Sequence, residues 1–179
     1  YLTGLTAGTQ YFFAFFEYNG SGATTEYMTS TFLTGNAFTS AAPTVQTSNL
    51  TFSNITGNSV TATITVGNGA RRLILARQGS PVNADPADLT SYGGNNTYGS
   101  GTQIGSGNYV VYSSSGNNTV IGNLQQGTEY FFAVYEYNGM GEPVYKKPAY
   151  TTSVTTRTVP TIPSTNINAL ITDGKELTF

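Results

Sequence analysis

The sequence has no cysteine, no histidine and no tryptophan, and only 9% of its residues are charged, where about a quarter is usual. Each absence removes a class of chemistry. Without cysteine there are no disulfides, thiolate metal sites or thiol nucleophiles. Without histidine, the usual base that activates a serine or threonine hydroxyl is missing. A serine–lysine scheme would need Lys146, Lys147 or Lys175, which lie in an expected hairpin loop and near the C-terminus. Seven basic residues and a net charge of −2 leave no electrostatic footprint for nucleic acid. No apolar run approaches the roughly 18 residues of a membrane-spanning helix. Gly99-Ser100-Gly101 and Gly105-Ser106-Gly107 lack the strand-to-helix setting of a phosphate loop.

What is present is aromatic and hydroxyl-rich. Thirteen Tyr and ten Phe supply enough apolar surface to bury a core, which excludes a disordered chain. Thr, Ser, Asn and Gly make up the polar remainder and suit short strands and tight turns. A neutral surface without cysteine fits an exported bacterial protein better than a disulfide-stapled domain.

One stretch occurs twice. Leu5-x-x-Gly8-Thr9-x-Tyr11-Phe12-Phe13-Ala14-x-x-Glu17-Tyr18-Asn19-Gly20-x-Gly22 returns as Leu124-x-x-Gly127-Thr128-x-Tyr130-Phe131-Phe132-Ala133-x-x-Glu136-Tyr137-Asn138-Gly139-x-Gly141, with 12 of 18 positions identical. Tyr130 follows Tyr11 by 119 residues, so the chain is expected to be part of a tandem array with that period. The first copy begins four residues in, which leads us to expect a cut N-terminal end on which a missing signal peptide has no bearing.

Periodicity is two throughout. Strands are expected at 50–52, 59–66, 72–77, 108–112, 119–121, 130–137 and 150–158, seven in one unit. Gly67-Asn68-Gly69 and Asn138-Gly139 mark turns, and Asn83–Leu89 offers at most one helical turn. Such short, evenly spaced strands indicate a β-sandwich. The expected division is a partial unit over 1–42, a complete unit over 43–159 with an insertion at about 79–107, and a linker with the start of a further unit over 160–179. Pro43 and the pair Pro160/Pro163 stand at matching places, where proline stiffens a linker. Asp173–Thr178 resembles Thr56–Thr61.

Leu124-x-x-Gly127-Thr128-x-Tyr130 resembles the tyrosine corner of fibronectin type III domains. The resemblance implies that Leu124 packs into the sandwich end, that Gly127 permits the sharp turn, and that the Tyr130 hydroxyl bonds back to backbone. It also implies an all-β fold of tandem fibronectin type III or immunoglobulin-like sandwiches, with Tyr130, Phe132, Val134 and Glu136 facing inward. There are three departures. The family's strand-B tryptophan is absent and Ile64 takes its place, Glu136 replaces an alanine, and the insertion lengthens the unit. With Gly67-Asn68-Gly69-Ala70-Arg71-Arg72-Leu73 and Glu136-Tyr137-Asn138-Gly139, the unit resembles repeats of large secreted and cell-surface proteins of Bacteroidota, including gliding-motility adhesins and cargo of the type IX secretion system. That resemblance implies display at the bacterial cell surface.

The inward carboxylates Glu17 and Glu136 are the sharpest oddity. One reading is a catalytic acid or metal ligand. The other, which we favour, is an ion pair with Arg71 or Arg72 on the neighbouring strand, since an inward carboxylate needs a charged or hydrogen-bonding partner and no second acid or base lies nearby. The insertion holds the candidate ligand loop. Asp85 and Asp88 could offer oxygens to Ca²⁺, although Asp before Pro also starts turns. Tyr92, Tyr98 and Tyr109, with Asn95 and Asn96, could form a platform for sugar rings, although a long insertion more often folds back on its aromatics. No cofactor is expected beyond that calcium reading.

The function expected from all this is a non-enzymatic structural and adhesive repeat module. Its partners would be neighbouring repeats and surface glycans or other cell-surface proteins. Two alternatives stay open here: a spacer array in a secreted enzyme, and a filament subunit whose partial ends complete each other between chains.

Overall fold

A computed structural model describes residues 2–158. The expected start of a further unit, with Pro160, Pro163, Asp173–Thr178 and Lys175, lies outside the described residues.

The N-terminal stretch forms two antiparallel pairs. β1 (Gln10–Phe15) pairs with β4 (Leu33–Phe38), and β2 (Tyr18–Asn19) pairs with β3 (Glu26–Tyr27). The rest of the chain forms two sheets. β5 (Asn49–Ser53), β6 (Val60–Thr65) and β9 (Asn118–Ile121) make a three-stranded sheet in the order β5-β6-β9. The second sheet runs β8-β7-β10, built from β7 (Arg71–Gln78), β8 (Asn108–Ser114) and β10 (Glu129–Asn138). On the far side of β10, β12 (Tyr150–Thr155) pairs with its first half and β11 (Val144–Tyr145) with its last two residues.

Three expectations need correction. The unit has eight strands, because β11 forms where a loop was expected. The last strand stops at Thr155 instead of Thr158. There the Thr156 side chain turns to donate to the carbonyl of Gln125 at 2.6 Å, which draws the chain out of the ladder. No helical turn forms over 83–89, since Pro86 biases Asp85 toward extended backbone.

The alternation of side chains along β6, β7 and β10 builds two apolar layers. Between the sheets lie Leu50, Val60, Ile64, Ile74, Val111, Ile121, Leu124, Tyr130, Phe132 and Val134. Ile64 is buried in that layer, at the place where the resemblance would put a tryptophan. The opposite face of β7 and β10 carries Leu73, Leu75, Ala133 and Tyr135, and it too is buried, under Val82, Ala84, Tyr92 and Ile104 of the insertion. Burial on both faces is why these strands read as continuous apolar runs instead of alternating ones. The insertion lies directly on β8: Asn95 N–H donates to the Val110 carbonyl at 3.1 Å and Val110 N–H to that of Thr102 at 2.9 Å. A Cβ on Gly94 would stand 2.6 Å from the Ser113 nitrogen, so only glycine lets the loop lie this close.

The two copies of the repeated motif adopt one geometry. β1–β4 and β10–β12 share a register: Gln10 faces Phe38 and Phe15 faces Leu33, as Glu129 faces Thr155 and Val134 faces Tyr150. Their surroundings differ. Phe15 is 61% exposed, whereas Val134 at the matching place is fully buried.

Candidate functional site

The loop end of the sandwich, where the segment entering β5 passes between the β6–β7 turn and the end of β10, holds the most polar buried cluster. Glu136 is fully buried. Its Oε1 accepts hydrogen bonds from Thr47 Oγ1 and Gly67 N–H, both at 2.8 Å. Its Oε2 accepts one from Gly69 N–H at 3.1 Å. Arg72 Nε donates to both oxygens, at 3.2 and 3.1 Å. The rest of the guanidinium donates to the carbonyls of Ser115 at 2.6 Å and Gly69 at 2.9 Å. Of the two arginines considered from sequence, only Arg72 pairs with Glu136. Arg71 points to the outer face, donating to Tyr137 Oη at 3.1 Å and to the Ser113 carbonyl at 3.4 Å.

The chemistry of this cluster follows from its donors. Both carboxylate oxygens are engaged, and no surface leads a substrate atom to them. The arrangement ties the β6–β7 turn, the strand-entry segment and β10 together. Sequence reasoning missed Thr47 and Gln46, whose side-chain amide donates to the Lys146 and Pro148 carbonyls at 2.9 and 2.8 Å while its oxygen accepts from Glu136 N–H at 3.0 Å. No local signal marks either residue. Gly67 and Gly69 were legible only as a turn.

The insertion separates the residues that could have formed one ligand site. Asp85 accepts a hydrogen bond from the Tyr135 hydroxyl at 2.6 Å, and Asp88 accepts from Tyr145 N–H at 2.9 Å. These carboxylates anchor the loop to β10 and β11. Burial first, and then the Asp85 carboxylate it donates to, raise the pKa of the Tyr135 phenol. Tyr145 is raised by burial and by its neighbours Tyr137, Tyr92 and Asp88. Tyr98 packs edge-on against Tyr109 and Tyr130, with centroids 5.3 and 5.0 Å away, and its hydroxyl accepts from Gln78 N–H. Burial raises its pKa, against the lowering effect of that N–H. Tyr92 instead lies 6.3 Å from Tyr145 and lines an outer cleft of about 250 Å³ together with Arg71, Ser113, Tyr137, Met140 and Tyr145. Among the described residues no three carboxylates come together as a metal cage.

At the other end of β10 the corner closes. The Tyr130 hydroxyl accepts from Gln125 N–H at 2.9 Å, Leu124 is buried beneath it, and Gly127 takes φ +62°. Thr156 Oγ1 accepts from Thr128 N–H at 3.0 Å. With three strands packed on the β8-β7-β10-β12 sheet and this corner between them, the architecture is settled. The chain folds as a fibronectin type III-like β-sandwich.

No protein-family model matches the sequence, and no curated protein matches it. Among solved structures, it is similar to the fibronectin type III domain of human fibronectin type III domain containing protein 3, at 17% identity and a TM-score of 0.45, covering 71% of this chain and 96% of that one. A two-domain fibronectin type III segment of chicken tenascin matches at 17% identity and a TM-score of 0.43, covering 86% and 68%. A fibronectin type III domain of human collagen XX matches at 17% and 0.36, covering 65% and 99%. The fold assignment rests on strand order, register and the corner in this chain and not on those likenesses.

Proposed function

We propose that this fibronectin type III-like chain is a non-enzymatic structural and adhesive module of a bacterial secreted or cell-surface protein, one stretch of an extended array of such units. The observation that carries this reading is the doubled corner. Tyr11 Oη accepts from Thr6 N–H at 2.7 Å and Tyr130 Oη from Gln125 N–H at 2.9 Å. The supporting bonds recur as well, Thr9 N–H to Thr39 Oγ1 and Thr128 N–H to Thr156 Oγ1, each at 3.0 Å. Residues repeated at this spacing close a sheet, so the repetition serves construction and not a reaction.

Strands of six to ten residues in the main sheet, rising ~3.3 Å per residue, make each unit at least about 20 Å long, so units in tandem would carry a distal end far from an anchor. The sparse charge, lack of cysteine and hydroxyl-rich surface suit the exterior of a bacterial cell. The resemblance to repeats of Bacteroidota surface proteins, including gliding adhesins and type IX secretion cargo, gives the setting. For recognition, this reading assigns the cleft of Tyr92, Tyr137 and Tyr145, where rigid aromatic rings with polar tips offer contact at low entropic cost to a glycan or surface protein. Antibodies raised against the chain test the location: labelling of intact cells, lost after protease treatment, is expected. Labelling only after permeabilisation would overturn it.

A further inference from the structure

Two turns that were legible only as hairpin signals converge on one segment. The chain leaving β4 runs through Ser40-Ala41-Ala42-Pro43 before entering the sandwich. Asn138 Nδ2 donates to the Ala41 carbonyl at 2.9 Å, while its Oδ1 accepts from Ala70 N–H at 2.9 Å. Asn68 Oδ1 accepts from Val45 N–H at 2.8 Å, and its Nδ2 donates to Thr44 Oγ1 at 2.8 Å. Asn68 N–H also donates to the Val45 carbonyl at 3.2 Å. Two glycines make the approach sterically feasible. A Cβ on Gly67 would collide with the Val45 carbonyl, and one on Gly139 would stand 2.8 Å from Ser40 Oγ. Pro43 is buried in this seat.

The upstream side of the same segment is held by the first corner, where a Cβ on Gly8 would lie 3.0 Å from that of Ala41. The relation recurs at the second corner, where a Cβ on Gly127 would lie 2.7 Å from Thr158 Cγ2. Ala41 and Thr158 are matching positions, each two residues before a proline, Pro43 and Pro160. The receiving loop recurs too. Gly20 and Gly139 both take φ +86°. The carbonyls of Glu17 and Glu136 accept from Met28 and Lys146 N–H at 2.8 Å each.

We propose that the Glu-Tyr-Asn-Gly loop, with the Gly-Asn-Gly turn beside it, is the receiving half of an inter-repeat joint. Its partner is the linker leaving the preceding repeat, an extended segment with a small residue two positions before proline. The corner glycine of one repeat and the loop asparagine of the next grip that small residue from opposite sides, so successive repeats meet at a fixed angle. In the first copy, Asn19 and Gly20 are the equivalent residues and would receive a linker of the same kind. This rests on the array reading only where it extends to other repeats. The joint around Ala41 lies wholly within this chain, so its test does not depend on where the protein is displayed.

Backbone ¹⁵N relaxation on the full chain tests it. Ser40–Val45 should show order parameters near the ~0.85 of rigid backbone. Asn138→Asp keeps the acceptor for Ala70 N–H but loses the donor to Ala41, so Ser40–Ala42 should fall below about 0.6 while Arg72 and Tyr137 hold their values. Asn68→Ala, which frees Thr44 and Val45 from outside the Glu136 cluster, should loosen those two residues independently. Linker amides already mobile in the unaltered chain, or unmoved in both variants, would overturn the proposal.

Discussion

Arg72 and Glu136 face each other directly across β7 and β10, and the guanidinium Nε donates to both carboxylate oxygens. The pair sits inside the sandwich end, with Glu136 fully buried and Arg72 7% exposed. A buried ion pair holds only when its remaining donors and acceptors are satisfied. Here Thr47, Gly67 and Gly69 complete the carboxylate, and two carbonyls complete the guanidinium.

Glu136→Gln leaves the buried Arg72 without a counter-charge. The expected loss is about 3–5 kcal/mol, on the order of 10 °C or more in Tm. Replacing both Glu136 and Arg72 by Leu should recover only part of it, because Thr47 and the Gly67 and Gly69 N–H groups still lose their acceptor. Thermal unfolding of both variants checks this, and an unchanged Tm for Glu136→Gln would contradict it.

Tyr130→Phe removes the acceptor of Gln125 N–H at the corner. A part-buried donor left unpaired costs roughly 1–3 kcal/mol. Tyr11→Phe should cost less, because Thr6 N–H is exposed and water replaces the phenol. Urea unfolding of the two single variants compares them, and equal losses would count against the account.

How much of this was legible in sequence differs by element. The strands of the core were readable because alternation and turn residues are local signals: Val60–Thr65 and its Gly-Asn-Gly turn are both visible in the residues themselves. The corner was readable because Leu, Gly and Tyr at fixed spacing specify one geometry. Glu136 could be assigned an arginine partner from strand adjacency, but not which arginine. Arg71 and Arg72 are consecutive, and the pleat alone sends one inward and the other outward. Thr47 and Gln46 were invisible because their partners lie 89 and 90 residues away. The insertion gave no sign that Asp85 and Asp88 would turn onto β10 and β11, since nothing near them in sequence names those partners.

Alkaline pH should unfold the sandwich. The phenols of Tyr135 and Tyr145 have folded pKa values raised above the ordinary 10.0, chiefly by burial. Their contribution is therefore fully present below pH 10 and is lost as pH rises above it, because the unfolded chain releases those protons first. Each group should steepen the decline by up to about 1.4 kcal/mol per pH unit. Tyr135→Phe should make the decline of Tm between pH 10 and 12 shallower. A profile identical to that of the unaltered chain would contradict this.

Chelation should leave the melting curve in place. Asp85 and Asp88 already accept hydrogen bonds from Tyr135 and Tyr145, so stability does not need a calcium ion at the insertion. Scanning calorimetry with and without EDTA decides, and a drop in Tm on chelation would assign calcium to this loop after all.

The central claim is that this chain belongs to an array of separately folded units with a period of 119 residues, the spacing of Tyr11 and Tyr130. Pulling single molecules of the natural full-length protein measures that period directly. The account predicts a sawtooth of force peaks with one recurring contour-length increment of about 400 Å, the reach of one extended unit. Peaks without a common increment, or extension with no peaks, would contradict it.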